Sequence, residues 1–239
     1  MEITYILNLY RRPHVLLEQI ESIKNQTVAP TQIMIWKNSY EGVEIPIELK
    51  KDKDIIVADC SRNLGVWSRF SFALNAKTEY ICVIDDDSII GKKWAENCLN
   101  TMMETPGLLG TRGLRFKRGV YHDADVFGWE SCNEKVEQVD IVGHAWFFKR
   151  EWLTAFFREL PPPEYVTAGE DINLSWMIQK YLGLNTYVPP HPKNDPEMWG
   201  SLKAIEYGVG VEATSNHSIP YMSKFLQHAR KGGFRLINE

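Results

Sequence analysis

The chain has 239 residues, 44% hydrophobic and 24% charged, with a formal net charge of −4. These are ordinary values for a soluble globular protein with a substantial core, organised as one large α/β domain or two small ones. The negative charge argues against general nucleic-acid binding, and no apolar run approaches the roughly 18 residues of a membrane-spanning helix.

Residues 3–9 predict the first strand, entered directly from Met1 with no room for a signal peptide. Tyr10-Arg11-Arg12-Pro13 ends it, and Pro13 is placed to open a helix with apolar positions Leu16, Ile20 and Ile23. Ile33–Trp36 predicts a second strand running into Lys37-Asn38-Ser39, and Ile55–Ala58 a third running into Asp59–Gly65. A helix over roughly 66–76 leads to Tyr80–Ile84, a buried strand that stops at Asp85-Asp86-Asp87 and resumes at Ile89-Ile90. This alternation predicts a mostly parallel sheet flanked by helices, with right-handed crossovers.

A helix near 92–104 is followed by Gly107–Gly119, whose Arg112, Arg115, Lys117 and Arg118 read as a solvated hairpin ahead of an anion- or membrane-contacting face. Val139–Phe148 is strand-like around Gly143, where a ligand or another backbone approaches closely. Gly169-Glu170-Asp171 opens a helix with the core stripe Leu174, Met177, Ile178, Tyr181 and Leu182, capped by Gly183. The proline-rich stretch 187–210, with Trp199, reads as a lid or binding segment. Cys60, Cys82, Cys98 and Cys132 are too widely spaced for a zinc site or a disulfide framework. They read as reduced thiols of a cytoplasmic protein, with peripheral membrane contact left open. Neither a repeat nor a linker divides residues 1–239.

Three adjacent carboxylates at the end of a buried strand repel one another unless a divalent cation or a proton compensates them; the alternative is a solvated acidic turn. That strand end is also the ligand edge of an open α/β sheet. A carboxylate-bound Mg²⁺ or Mn²⁺ completes its shell with waters and phosphates, so a nucleotide partner is expected. Tyr10 is placed to stack on a base, Asn38 to hydrogen-bond its edge, and Arg62, Asn63 and Arg69 to reach phosphates. Glu170-Asp171 reads both as a helix cap and as a general base, since a cap fixes the rotamer a base requires.

The ordered set Leu7–Pro13, Ile23–Thr27, Arg62–Gly65 with Arg69, Asp85–Asp87, Gly143–Phe148 and Gly169–Asp171 resembles a GT-A glycosyltransferase of the inverting family 2 group, over about residues 3–185. The resemblance implies the Rossmann-like GT-A fold and metal-dependent transfer from a nucleotide-diphosphate donor, a UDP-sugar, to a hydroxyl of a glycan acceptor. It implies a donor-binding half, 1–105, and an acceptor-binding half with a C-terminal lid, 106–239. Asp87 and Asp85 would hold the metal, with Asp85 alternatively on the ribose. Tyr10, Arg12, Asn38, Asn63, Arg69, Asp85 and Asp86 would surround the nucleotide sugar. Asp171 would be the base, with Glu170 orienting the acceptor; Gly143, His144, Trp146 and Trp199 would meet the acceptor, while Trp176 is core. His217, ahead of His191 and His228, would complete the metal shell, and Arg230–Gly233 would close over the diphosphate.

Asn38 stands where the family usually has a carboxylate, which an amide can replace in pairing with uracil. The acidic triplet with Val142–Phe148 is also similar to exostosin-type transferases, which retain configuration. Val83–Ile89 superficially fits the nucleophile motif of haloacid-dehalogenase-like phosphatases, with Asp85 as nucleophile and Asp87 as acid, although that motif normally lies on the first strand. A sugar-phosphate nucleotidyltransferase would begin with a glycine-rich basic loop, and a glycan-binding protein without activity would not need Asp171.

Overall fold

The computed structural model describes residues 1–165, 167–208 and 215–239, the side chains of 215–219 excepted. The chain begins β1(Ile3–Leu9), α1(Leu16–Lys24), β2(Gln32–Lys37), α2(Ile47–Lys51), β3(Ile55–Asp59), α3(Ser68–Phe72), β4(Tyr80–Ile84) and α4(Trp94–Glu104). It continues with β5(Gly107–Phe116), β6(Ala124–Gly128), β7(Glu137–Val139), β8(Ile141–Lys149), α5(Leu153–Phe156), α6(Glu170–Leu182), β9(Asn185–Val188), α7(Ala204–Gly208) and α8(Ser215–Lys231). One nine-stranded sheet runs β3-β2-β1-β4-β8-β5-β9-β7, with β6 on β5.

The first four strands of that order are parallel, and β8 then adds antiparallel to β4 with Ile84 opposite Ala145. The chain moves outward from β1 to β2 and β3, then returns to place β4 on the other flank of β1. The carboxyl ends of β1 and β4 therefore flank the crevice where open sheets of this kind bind ligands.

The strands form because their apolar runs are buried on both faces: every residue of β4 is buried, as are six of the seven of β1. Each fully buried aliphatic or aromatic side chain contributes about 1.5–3 kcal/mol. α1 covers one face through Leu16, Ile20 and Ile23. It begins at Leu16 rather than at Pro13, which lies in the preceding turn. Ile89 and Ile90 do not resume the strand; they are buried in the connection to α4.

A second apolar cluster lies under the carboxyl-terminal elements: Leu114 and Phe116 of β5, Ile172, Trp176 and Met177 of α6, and Met222, Phe225, Leu226 and Ala229 of α8. It fixes the entry to α6. Gly169 precedes the helix at φ +87°, and a Cβ there would stand 2.1 Å from Phe225 Cδ1, so only glycine lets α8 approach this closely. Phe225 also stacks on Tyr165 at 4.6 Å. Gly183 caps α6 at φ +66°.

Candidate active site

The end of β4 is where the acids separate into different roles. Asp85 Oδ, Asp87 Oδ and a ring nitrogen of His144 lie within 4.8 Å of one another. His144 is brought there by pairing: β8 is the antiparallel neighbour of β4, and Asp85 N–H donates to His144 O at 2.8 Å. The pairing of β5 with β8 shifts register between Gly110 and Arg112, beside Gly143, and His144 adopts φ +69°. That conformation costs a non-glycine residue about 1–3 kcal/mol and is characteristic of functional sites.

Burial opposes the His144 cation, but Asp87 and Asp85 outweigh it and raise the ring above the ordinary histidine range. Burial likewise opposes ionisation of Asp87, yet His144, 3.4 Å away through Nδ1, with Arg12 and Ser88, holds that carboxyl below its usual value. A protonated His144 ring would stand between the two acids where a cation would sit. Two hard oxygen donors and one imidazole nitrogen form a donor set suited to a divalent metal.

Asp86 points elsewhere. Its carboxylate accepts from Arg11 N–H at 3.1 Å and from Arg12 Nη1 at 2.7 Å, which locks the turn after β4 to the end of β1. Arg12 and Asp86, expected at the nucleotide, are thus paired with each other, and Arg12 also lies 3.7 Å from Asp87.

Arg69, expected to reach a phosphate, is instead buried on α3 in a double ion pair with Asp85 and, at 2.7 Å, with Glu170. Its guanidinium lies 4.9 Å from the centre of the Trp146 ring. This also corrects Trp146, expected at the acceptor: it is 1% exposed, donates to Val142 O, and serves as the floor beneath Arg69.

The carboxylates at the start of α6 face this cluster. Burial raises Glu170 to about 7 against the opposing charge of Arg69, and Asp171 to about 6 against the Ile172 N–H and Arg112. Asp171 Oδ1 accepts from Ile172 N–H at 2.7 Å, and the Tyr121 hydroxyl stands 3.5 Å from Oδ2. A carboxyl oriented by its own helix terminus and tuned toward neutrality is suited to proton abstraction.

At the ends of β1 and β2, Tyr10 and Asn63 come together through a 3.0 Å hydrogen bond. Tyr40 packs edge-on to Tyr10 at 5.1 Å, and Arg11 lies over both rings. Asn38 turns inward: its carbonyl accepts from Trp36 Nε1 and Leu64 N–H, and its amide donates to Gly65 O. It shapes the loop that carries Asn63, with its carbonyl taken up by two protein donors.

Other expectations move. Trp199 braces the 189–203 segment, donating to Pro192 O and packing on His191, and makes no contact with the acidic cluster among the described residues. His191 is fully buried, lowered to about 4 by burial, and bonded to Thr111 and Pro189 O, so it is a neutral structural group. His228 is exposed and packs against Trp176 and Phe225. The side chain of His217 lies outside the described residues. Arg230 pairs with Glu239 rather than projecting toward the cluster. A Cβ added at Gly143 would meet only the Trp146 ring, at 3.9 Å, an ordinary contact. Sequence reasoning missed Tyr121 and the position of Arg112. It placed His144 at the acceptor rather than beside Asp85 and Asp87, although a titratable residue inside an otherwise apolar strand was a readable signal.

The model of the family described as Glycosyl transferase family 2 matches residues 4–157, from Thr4 in β1 to just past α5, the acidic triplet included. The chain belongs to glycosyl transferase family 2. The motif at Asp85 that superficially resembles the phosphatases thus lies inside the segment matched by the glycosyl transferase family 2 model. Two crystal structures of S. aureus TarS 1-349, one in complex with UDP and one with UDP-GlcNAc, share the fold at TM-scores of 0.56 and 0.55 and 15% identity. The similarity covers 80% of this chain but only 58% and 56% of those chains. No curated protein matches the sequence. No helix among the described residues is long and apolar enough to cross a membrane.

Proposed function

We propose that this family 2 glycosyltransferase moves a sugar from a UDP-sugar to a hydroxyl of a glycan acceptor with inversion, using a divalent cation and Asp171 as base. The observation that carries the reading is the convergence of Asp85, Asp87 and His144 within 4.8 Å at the crevice between β1 and β4. The structural likeness to TarS bound to UDP and UDP-GlcNAc supports the choice of nucleotide.

In this reading Asp85, Asp87 and His144 hold the cation, and the nitrogen donor favours Mn²⁺ over Mg²⁺. When bound, the cation supplies positive charge to the departing diphosphate. Tyr10, Tyr40, Arg11 and Asn63 form the mouth that takes the nucleoside. The half 1–105 thus carries most of the donor site, while 106–239 adds His144 and the base. Asp171 Oδ2 accepts the proton of the attacking hydroxyl, and Tyr121 orients it. Arg69 holds Glu170 and Asp85 at fixed separation, so base and cation site keep one geometry.

Thermal unfolding with UDP and Mn²⁺ tests this. The pair should raise the melting temperature more than UDP with Mg²⁺, and Asp87→Ala or His144→Ala should abolish the gain. An equal gain in both variants would overturn the cation site.

A further inference from the structure

Three of the four cations between Gly107 and Gly119 are answered by acids: Arg115 by Glu137 at 3.0 Å, Lys117 by Asp125 at 2.7 Å and Arg118 by Asp123 at 2.6 Å. Arg112 differs. Among the described residues it forms no ion pair, and its Nε is buried without a hydrogen-bond partner. Ring stacking holds it instead. Its guanidinium lies 5.2 Å from the centre of the Trp129 ring, and Trp129 stacks on His144 at 5.4 Å and 26°.

The stack is costly to build. Trp129 and His144 are the two non-glycine residues with positive φ among those described, at +57° and +69°, and each such conformation costs about 1–3 kcal/mol. Gly128, immediately before Trp129, has φ +65°, and a Cβ there would lie 2.1 Å from Thr111 O. Such strain persists only where the surrounding structure over-determines it, and it clusters at active sites and ligand clamps. A guanidinium held by a ring face keeps its N–H edge available to an oxyanion, and leaving a half-buried cation without one is unfavourable.

A transferase presents two anions, the donor diphosphate and any acidic group of the acceptor. Arg69 answers Asp85 and Glu170. Arg112 lies opposite Gly143 in the β5–β8 register, and its charge reaches Asp171 and Tyr121 as well as His144, so it stands between the candidate base and the candidate cation site, beside the glycine expected at the acceptor.

We propose that Arg112, mounted on Trp129, receives a carboxylate or phosphate of the acceptor, so that the enzyme glycosylates an acidic sugar in preference to a neutral one. The proposal rests on the transferase reading above. Calorimetric titration of methyl glucoside, methyl glucuronide and methyl glucoside 6-phosphate into the protein with saturating UDP and Mn²⁺ tests it. At least one acidic sugar should bind ten times more tightly than the neutral one, and whichever gains more identifies the anion. Arg112→Gln should erase the preference, and Arg112→Lys, which keeps the charge, should retain part of it.

Equal binding of all three sugars to the wild type, no binding of either acidic sugar, or full preference in Arg112→Gln would overturn the proposal. So would loss of UDP affinity in Arg112→Gln with the acidic preference intact, because the cation would then serve the diphosphate. Titration of UDP and Mn²⁺ alone, and of the sugars without nucleotide, separates failure of the donor reading from failure at Arg112. If Arg112→Gln does not fold, the wild-type comparison and Arg112→Lys still decide.

Discussion

Replacing Arg69 by Gln removes the cation that two buried acids share. The Arg69 side chain is 3% exposed, that of Glu170 12% and that of Asp85 22%. Removing one partner of a buried ion pair costs about 3–5 kcal/mol. The partial access of Asp85 to water places the expectation near the lower end, about 3 kcal/mol at pH 8. The cost should depend on pH. Burial raises Glu170 to about 7 even with Arg69 present, so above that pH the folded protein holds a buried carboxylate that needs the guanidinium. Below it the carboxyl is protonated with or without Arg69. Destabilisation should therefore fall toward about 1.5 kcal/mol at pH 5.5, the scale of one hydrogen bond to a charged group. Urea unfolding of wild type and variant in metal-free buffer at both pH values measures this. Adding Glu170→Gln to the variant should recover about 1.5 kcal/mol at pH 8, since it removes the uncompensated charge. A loss that is equal at both pH values, and that Glu170→Gln leaves unrelieved, would refute the reasoning.

Asp171→Asn should lower transfer by about 10²–10⁴-fold while leaving UDP affinity in place. With Asp171 raised to about 6, wild-type kcat should drop as pH falls through that value and the base becomes protonated; an acid limb surviving in the residual activity of the variant would exclude Asp171. Gly169→Ala should cost about 2–5 kcal/mol, from about 1–2 for a left-handed non-glycine backbone and about 1–3 for overpacking against Phe225. Gly183→Ala, with a similar φ of +66° and nothing within 4 Å of the added carbon, should show the backbone part alone, and equal losses on urea unfolding would contradict the packing argument.

The parallel half was legible because burial on both faces leaves uninterrupted β-branched runs, as in Tyr80–Ile84. The same signal misled at Ile89-Ile90, which are buried by packing rather than by a ladder. α8 was illegible because Pro220 and its polar composition hide a narrow buried stripe, Met222, Phe225, Leu226 and Ala229. At the site, Asp85, Asp87, Glu170 and Asp171 could be placed because acids at strand and helix termini carry their own cost. The roles of Asn38, Arg12 and Arg69 could not, since each is decided by a partner 27, 74 or 101 residues away. His144 needed one further fact that no local pattern holds, that β8 lies beside β4.

That adjacency makes the candidate cation site a gauge of strand register. A slip of β8 by one residue against β4 would carry His144 to the opposite face of the sheet, leaving two acids and no nitrogen. An ion bound there would therefore select one alignment between segments 57 residues apart. At a hundred times its dissociation constant it would add about 2.7 kcal/mol to that alignment. An ion bound at the candidate site would thus reward the frame in which the second half of the sheet is zipped onto the first.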